Sequence, residues 1–316
     1  MFILVVGSVA YDSVETRAGN RDEALGGSAT YFSLASSYSG PVSMIAVVGE
    51  DFRSEHLDLF KAHGIDISGI EDGSGRTFRW KGVYDAVDLN SRETLDTQLN
   101  VFADFSPKLS MEQRQAPYLF LANIDPGLQM EVLDQMKSQP KLVGLDTMNF
   151  WIEGKHNELN HVIESIDVLF MDENEARSFA REANLVRAAK HILSLGPDAV
   201  VIKRGEHGVL LFNGDSIFSV PAFPLEEVVD PTGAGDSFAG GFMGYLAATG
   251  DLSQEGFRRA TVLGSVMGSF TVESFSTDRL CSLTRHEIEG RFRAFTHLSL
   301  FSPLGERELL PWRNER

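Results

Sequence analysis

The stretch Asp230-Pro231-Thr232-Gly233-Ala234-Gly235-Asp236-Ser237 carries the densest chemical signal in the chain. Gly233 and Gly235 flank one small residue, and Phe238, Phe242 and Leu246 follow at the spacing of one helix face, with Gly250 placed to end it. A Gly-Ala-Gly turn feeding a helix N-terminus gathers backbone N–H groups in one concavity, and the helix dipole adds partial positive charge there. Small residues let an anion such as phosphate come close to the backbone. Asp236 sits oddly in such a place, because a carboxylate weakens anion binding. Two readings stand. Asp236 caps the helix, or it accepts the proton of a hydroxyl attacking phosphorus, a reaction that needs positioning, charge neutralisation and a proton acceptor together.

A second group lies near the N-terminus. Gly26 and Gly27 precede Ser28-Ala29-Thr30-Tyr31. Paired glycines allow the backbone to approach a small polyhydroxylated molecule, or simply make a strand-to-helix turn. Asp12 is acceptor-only when ionised and can receive two hydroxyl donors, but an isolated Asp is equally at home in a surface turn. Asp51, after Gly49-Glu50, either belongs to a functional Gly-x-Asp turn or simply caps the helix that follows.

The elements that must hold these residues alternate. Strands are predicted at Phe2–Val9, Val42–Val48, Tyr118–Ala122, Lys141–Asp146, Val168–Met171, Ala199–Lys203 and Val209–Phe212. Helical patterns fall between several of them, at Asp51–His63 and Pro126–Ser138. Apolar strands alternating with helices indicate a mostly parallel sheet covered on both faces. Thr77 to Phe102 breaks the rhythm with strand-like alternation, read as a small antiparallel sheet that serves as a lid or a dimer contact. Its Phe78, Trp80 and Tyr84 form a candidate aromatic wall over a substrate, or pack the lid itself. Ser302–Arg316 is polar and reads as peripheral.

The segment Asp230–Asp236 closely resembles the C-terminal signature of the ribokinase-like (PfkB) family of carbohydrate and nucleoside kinases, Asp-Thr-x-Gly-Ala-Gly-Asp. Gly26-Gly27 matches the family's N-terminal signature, and the order of motifs agrees from residue 2 to about residue 296. The resemblance implies a three-layer α/β/α fold in one domain, residues 1–316. Its mostly parallel sheet carries a small β-sheet lid from about 12–20 and 77–103. It also implies that Asp236 is the base and that Gly233, Ala234 and Gly235 supply the anion hole. Asp12, Gly26, Gly27, Ser28 and Tyr31 then face the acceptor. Tyr31 stands where many members have Asn, which alters the pocket.

Lys203-Arg204-Gly205-Glu206-His207-Gly208 resembles the family's nucleotide turn and assigns Lys203, Gly205 and Gly208, together with Thr232, to the nucleotide. Glu175 matches the glutamate that meets magnesium through water, although Asp172 replaces the family's Asn. Residues Ala260–Ser269 resemble the helix bordering the adenine. ATP and Mg²⁺ follow from the resemblance, with a monovalent cation as a further candidate and a homodimer through the lid as a family expectation.

Composition bounds the rest. The 316 residues are 43% hydrophobic and 23% charged, which suits a folded chain with a sizeable core. With 45 acidic against 28 basic residues, the formal charge of −17 disfavours non-specific binding to nucleic acid or anionic membranes. A phosphorylated ligand must therefore be held locally, against the global field. One cysteine, Cys281, excludes an intrachain disulfide and a Cys-rich zinc site. Phe2–Val6 lacks the flanks of a signal peptide and the length of a membrane span, so a cytoplasmic protein is expected. No P-loop or dinucleotide fingerprint occurs. The expectation is an ATP-dependent phosphotransferase acting on a hydroxyl of a small sugar or polyol. A nucleoside kinase of the same family is the alternative, and a non-catalytic ligand-binding protein on this scaffold is the alternative of another class.

Overall fold

The computed structural model describes residues 1–300 and 302. The N-terminal apolar run forms β1 (Ile3–Val6), followed by β2 (Ala10–Thr16), β3 (Gly19–Gly26), α1 (Ser28–Ser37), β4 (Val42–Gly49), α2 (Ser54–Ala62) and β5 (Ile65–Gly73). The interrupting segment supplies β6 (Phe78–Tyr84) and β7 (Arg92–Gln98). Alternation resumes with β8 (Tyr118–Leu121), α3 (Pro126–Gln135), β9 (Leu142–Asp146), α4 (Asn149–Gly154), α5 (His156–Ile163), β10 (Val168–Asp172), α6 (Glu173–Ala180) and α7 (Leu185–Leu193). Then come β11 (Ala199–Lys203), β12 (Val209–Asn213), β13 (Ser216–Val220), α8 (Ala234–Thr249), α9 (Gln254–Thr271), α10 (Asp278–Ser282) and α11 (Arg285–Ser299).

The main sheet has nine strands in the order β13-β12-β11-β10-β9-β8-β1-β4-β5. From β5 to β11 all pairings are parallel; β12 and β13 are added antiparallel at one edge. The strand order reverses at β1, and in open α/β sheets ligands bind beyond the carboxyl ends of the strands at such a reversal.

Successive strand residues point to opposite faces, and the sheet buries both. Ile3, Val5, Phe120 and Phe170 pack with residues of α1, α8 and α9, while Leu4, Val6, Leu119 and Leu169 pack with residues of α3, α5, α6 and α7. Phe32 stacks on Phe120 with ring centroids 4.1 Å apart. Burying each such ring is worth roughly 1.5–3 kcal/mol. The result is the expected three-layer α/β/α arrangement. Helices α8 and α9 approach to backbone contact: a Cβ on Gly264 would lie 2.8 Å from the Phe238 carbonyl.

The second sheet, β3-β2-β6-β7, is the lid, with β2 and β6 parallel and the outer pairs antiparallel. Three boundaries differ from expectation. The first strand ends at Val6 rather than Val9, because Gly7 is wedged against Ala122 and Ser28 and the chain turns there into the lid. The first lid hairpin is longer than 12–20, running over 10–26. Helix α2 starts at Ser54, and Asp51 does not cap it. The Asp51 Oδ1 accepts hydrogen bonds from the Thr77 N–H at 2.7 Å and the Thr77 hydroxyl at 2.8 Å, and Oδ2 pairs with Arg79 at 2.7 Å. Asp51 therefore anchors the start of the lid. The predicted polar tail beyond Ser302 lies outside the described residues. Among those described, no helix is long and apolar enough to cross a membrane.

Candidate active site

Helix α8 begins at a turn held from behind. Asp230, 1% exposed, accepts hydrogen bonds from the Thr232 N–H at 2.9 Å and the Ser276 N–H at 3.2 Å. Gly233 adopts φ 76°, and a Cβ there would run into the ring of Tyr31, so only glycine fits. Gly235 is glycine for a different reason: the place of its Cβ lies 3.0 Å from the Lys203 Nζ. Asp236 follows in the first helical turn, half-buried. Burial lifts its carboxyl well above the usual carboxylate range and Asp146 adds to the rise, while Lys203 and Arg92 oppose it.

The floor below this turn is made by the carboxyl ends of three neighbouring strands. Asp146 ends β9, Asp172 ends β10 and Lys203 ends β11, with Lys203 in register with Asp172. The Lys203 ammonium reaches across β10 to the Asp146 Oδ2 at 2.8 Å. Burial favours the neutral amine, but Asp146 and Glu175 outweigh it and hold Lys203 above its ordinary value. Glu175 and Asp172 form a capping box at the start of α6: each side chain accepts the other's backbone N–H at 2.7 Å. Burial, then the charge of Asp172, pushes Glu175 up to about 8.

The second group of residues lies against the lid. Asp12 is 6% exposed, and a Cβ on Gly26 would collide with its carboxylate. Burial raises Asp12 to about 7, with Asp230 and Asp236 adding to the rise and the Gly27 N–H opposing it. In the lid, Asp12 is paired with Trp80, so the two side chains share one face. The Trp80 indole lies over Gly82, donates to the Thr94 hydroxyl at 3.2 Å and has the Arg92 guanidinium 5.9 Å from its ring.

The lid also touches the turns before α8 and after β11. Thr232 donates its hydroxyl to the Tyr84 oxygen at 3.2 Å, and Asn90 presses against Gly205 where a Cβ would stand.

Most residues singled out in the sequence thus converge: Asp12, Gly26, Gly27, Tyr31, Glu175, Lys203, Thr232 and Gly233 to Asp236. Tyr31, 1% exposed, has its ring against Gly233, and burial, then the charges of Asp12 and Asp230, raise the proton affinity of its hydroxyl. Several of the residues have structural partners that their own segments do not reveal. The Ser28 hydroxyl is engaged by Ser8 in a reciprocal pair, with N–H to Oγ distances of 3.0 and 3.2 Å, and ties the end of β1 to α1. The Lys203 Nζ lies 3.0 Å from where a Gly235 Cβ would stand. Gly208, at φ 81°, packs on the backbone of Val220 and shapes that turn from within. Of the three wall aromatics, Phe78 stacks on Phe102 at 5.4 Å and Tyr84 is turned to Thr232, which leaves Trp80.

Asp146 and Arg92 were not singled out. Asp146 was legible as an acid ending a predicted parallel strand, where such folds keep their ligands. Arg92 carried no local signal.

A phosphate fits between these parts. Gly235 leaves room beside Lys203 that a Cβ would fill, and Glu175 commits one carboxylate oxygen to its capping box and keeps the other. Among the described residues, no group of three or more His, Cys, Asp or Glu side chains is arranged to hold a metal on its own.

A three-layer α/β/α fold thus carries an acid and a glycine turn at one late helix, with a second buried acid on the small sheet. Residues 2–284 match the pfkB family carbohydrate kinase model. The chain belongs to that family and is a kinase of the ribokinase type. It is 29% identical over 251 residues to a cytidine kinase of Thermococcus kodakarensis, covering 77% of this chain and 88% of that protein. It is 28% identical over 292 residues to an inositol 3-kinase of Arabidopsis thaliana, covering 86% of this chain and 74% of the relative. The fold is shared with the nucleoside kinase of Methanocaldococcus jannaschii, with a TM-score of 0.74 at 19% identity over 93% of this chain and 98% of the other.

Proposed function

We propose that the protein transfers the γ-phosphate of ATP to a hydroxyl of a nucleoside, with Asp236 as the base. The observation that carries the reading is the convergence on one space of the α8 turn, the buried Asp12 and the lid-borne Trp80. Asp12 can accept two hydroxyls of a sugar ring. Trp80, on the same face, offers a flat surface for an aromatic base or an apolar sugar face. A cyclic polyol is the second reading, favoured by the similarity to an inositol kinase, and a free sugar is a third acceptor for the same pocket.

The acceptor hydroxyl would lie between Asp12 and Asp236. Its proton passes to the Asp236 carboxylate as its oxygen attacks the γ-phosphorus. The N–H groups of residues Gly233 to Asp236 stabilise the charge on the transferring group. The raised proton affinity of Asp236 brings it toward the range where a base both stays ionised and accepts a proton readily. Mg²⁺, when bound with the triphosphate, supplies charge neutralisation, and Glu175 is the carboxylate available to its water shell. Tyr84 and Asn90 hold the lid against the α8 and β11 turns, which excludes water from the transfer.

The test is ADP release with ATP and a panel of nucleosides, inositols, pentoses and hexoses. Release with cytidine or another nucleoside, well above release with the free sugars, is expected. Release confined to inositols or sugars moves the substrate assignment, and tight acceptor binding without any ADP release replaces the kinase reading with a binding protein.

A further inference from the structure

Helices α1 and α8 run side by side in the same direction. A Cβ on Gly240 would collide with the Phe32 carbonyl oxygen, and one on Gly244 would lie 3.1 Å from the Ser36 Oγ. Each step of four residues on one helix is thus matched by four on the other, and glycine lets the two backbones touch. One turn earlier, the same register brings Ser28 level with Asp236. The N-terminal ends of α1 and α8 therefore open onto one space, one entered from Gly26-Gly27 and the other from the Gly233 turn.

At this end the contact changes character. A Cβ on Gly233 would meet Cγ, Cδ1 and Cδ2 of Tyr31 at nearly equal distances, so the glycine rests on the face of the ring. The ring stands on a firm base. Tyr31 is 1% exposed and its N–H donates to the Gly27 carbonyl at 3.2 Å. The first turn of α1 is tied to the end of β1 by the Ala29 N–H, which donates to the Ser8 carbonyl at 3.0 Å. Gly233 needs such support. It is the left-handed residue that opens α8, at φ 76°, and glycine has more backbone freedom to lose than any other residue. Asp230 holds the turn from behind through the Thr232 N–H, and the Tyr31 ring holds it at Gly233. Donors stabilise a transition state best when they are aimed before the charge develops.

We propose that the Tyr31 ring is the positioning element of the α8 turn: its face keeps Gly233 left-handed, which aims the α8 amides at the γ-phosphate and sets their distance from the start of α1. This deepens the phosphotransferase reading above and rests on it. It is a role separate from the acceptor contact that the family resemblance gives position 31. That contact is made by a polar end, whereas this one is made by ring carbons. Tyr31 acts through Gly233 and touches no reacting atom in this role.

The experiment compares the parent with Tyr31→Phe, which keeps the ring, and Tyr31→Leu, which removes it. Binding of ADP and of the non-hydrolysable β,γ-imido analogue of ATP is measured with Mg²⁺, alongside kcat, acceptor KM and thermal midpoint. Tyr31→Leu is expected to weaken the ATP analogue by about 10-fold while ADP changes by less than about 3-fold. Its kcat should fall by roughly 10–10². Tyr31→Phe should keep the parent's preference for the analogue over ADP and lose its hydroxyl at the cost of a roughly 3–5-fold rise in acceptor KM.

A Tyr31→Leu protein with a lowered thermal midpoint but an unchanged preference for the analogue overturns the proposal, because the ring would then only fill space. Equal damage in Tyr31→Phe and Tyr31→Leu also overturns it, since the hydroxyl would carry the effect. Where Tyr31→Leu fails to fold, Tyr31→Met, closer to tyrosine in volume but without a flat face, is judged by the same two comparisons. A parent that releases no ADP with any acceptor ends the phosphotransferase reading and this proposal together. A parent that turns over while Tyr31→Leu binds and reacts as before ends this proposal alone.

Discussion

Along β11 every residue from Ala199 to Ile202 is buried; along β7 every residue from Arg92 to Gln98 is exposed. Yet each strand brings one cation to the same carboxylate, since both Lys203 and Arg92 act on Asp236. The lysine is placed by a strand paired on both sides and covered on both faces. The arginine sits on the outermost strand of the lid, paired only with β6 and opposite Tyr84. The lid touches the α8 and β11 turns through the Tyr84–Thr232 and Asn90–Gly205 contacts. The difference suggests a division of labour in which the floor serves the phosphate, common to all turnovers, and the lid serves recognition of the acceptor.

The hardest blow to that division is aimed at the α8 turn above the floor. Asp236→Asn should lower kcat by roughly 10²–10⁴ while leaving the thermal midpoint nearly unchanged, measured by steady-state ADP release and calorimetry. Turnover close to the parent's would remove Asp236 from the chemistry. On the lid, Trp80→Ala should raise the acceptor KM by about 10-fold with ATP affinity within about 2-fold. A change shared equally between acceptor and nucleotide would erase the distinction between the two regions. Tyr84→Phe removes the hydrogen bond to Thr232 without changing ring packing. It should raise ATP hydrolysis in the absence of acceptor by about 2–3-fold, read as ADP release in a blank reaction.

The smallest expected effect concerns pH. Glu175 binds its proton more tightly in the folded chain, at about 8 against an ordinary 4.5. Its contribution to stability is therefore complete below 4.5 and is lost as the pH rises through about 8. Asp12, raised to about 7 from 3.8, acts in the same direction. Without ligands, the thermal midpoint should fall between about pH 6 and about pH 8.5, and Glu175→Gln should flatten that fall by roughly 3 °C. An identical slope in the variant would mean that Glu175 is ionised throughout.

Much of this was readable in one dimension where the signal is local. The α8 turn, Gly26-Gly27, the alternation of apolar strands with helices and the interrupting lid segment depend on backbone freedom and periodicity, which a sequence displays directly. Readings failed where a side chain had a choice of partners. Asp51 looks like a helix cap and instead holds Thr77 at the start of the lid strand. Ser28 pairs with Ser8, a partner that its own segment does not reveal. Phe78, Trp80 and Tyr84 share one face, and the neighbours of each assign one to the lid base, one to the open face and one to the latch on Thr232.

Residue types and spacing alone established that a phosphate-sized anion could rest at the start of α8 beside a carboxylate, because glycine conformation and helix polarity are properties of a short segment. Only folding could bring Lys203 to Asp146, 57 positions apart, or set Tyr31 against Gly233, because those meetings depend on which strands are neighbours in the sheet. The same assembly lifted the proton affinities of Asp12, Glu175 and Asp236. Each is an ordinary acid in the chain and becomes an unusual one when buried among the others.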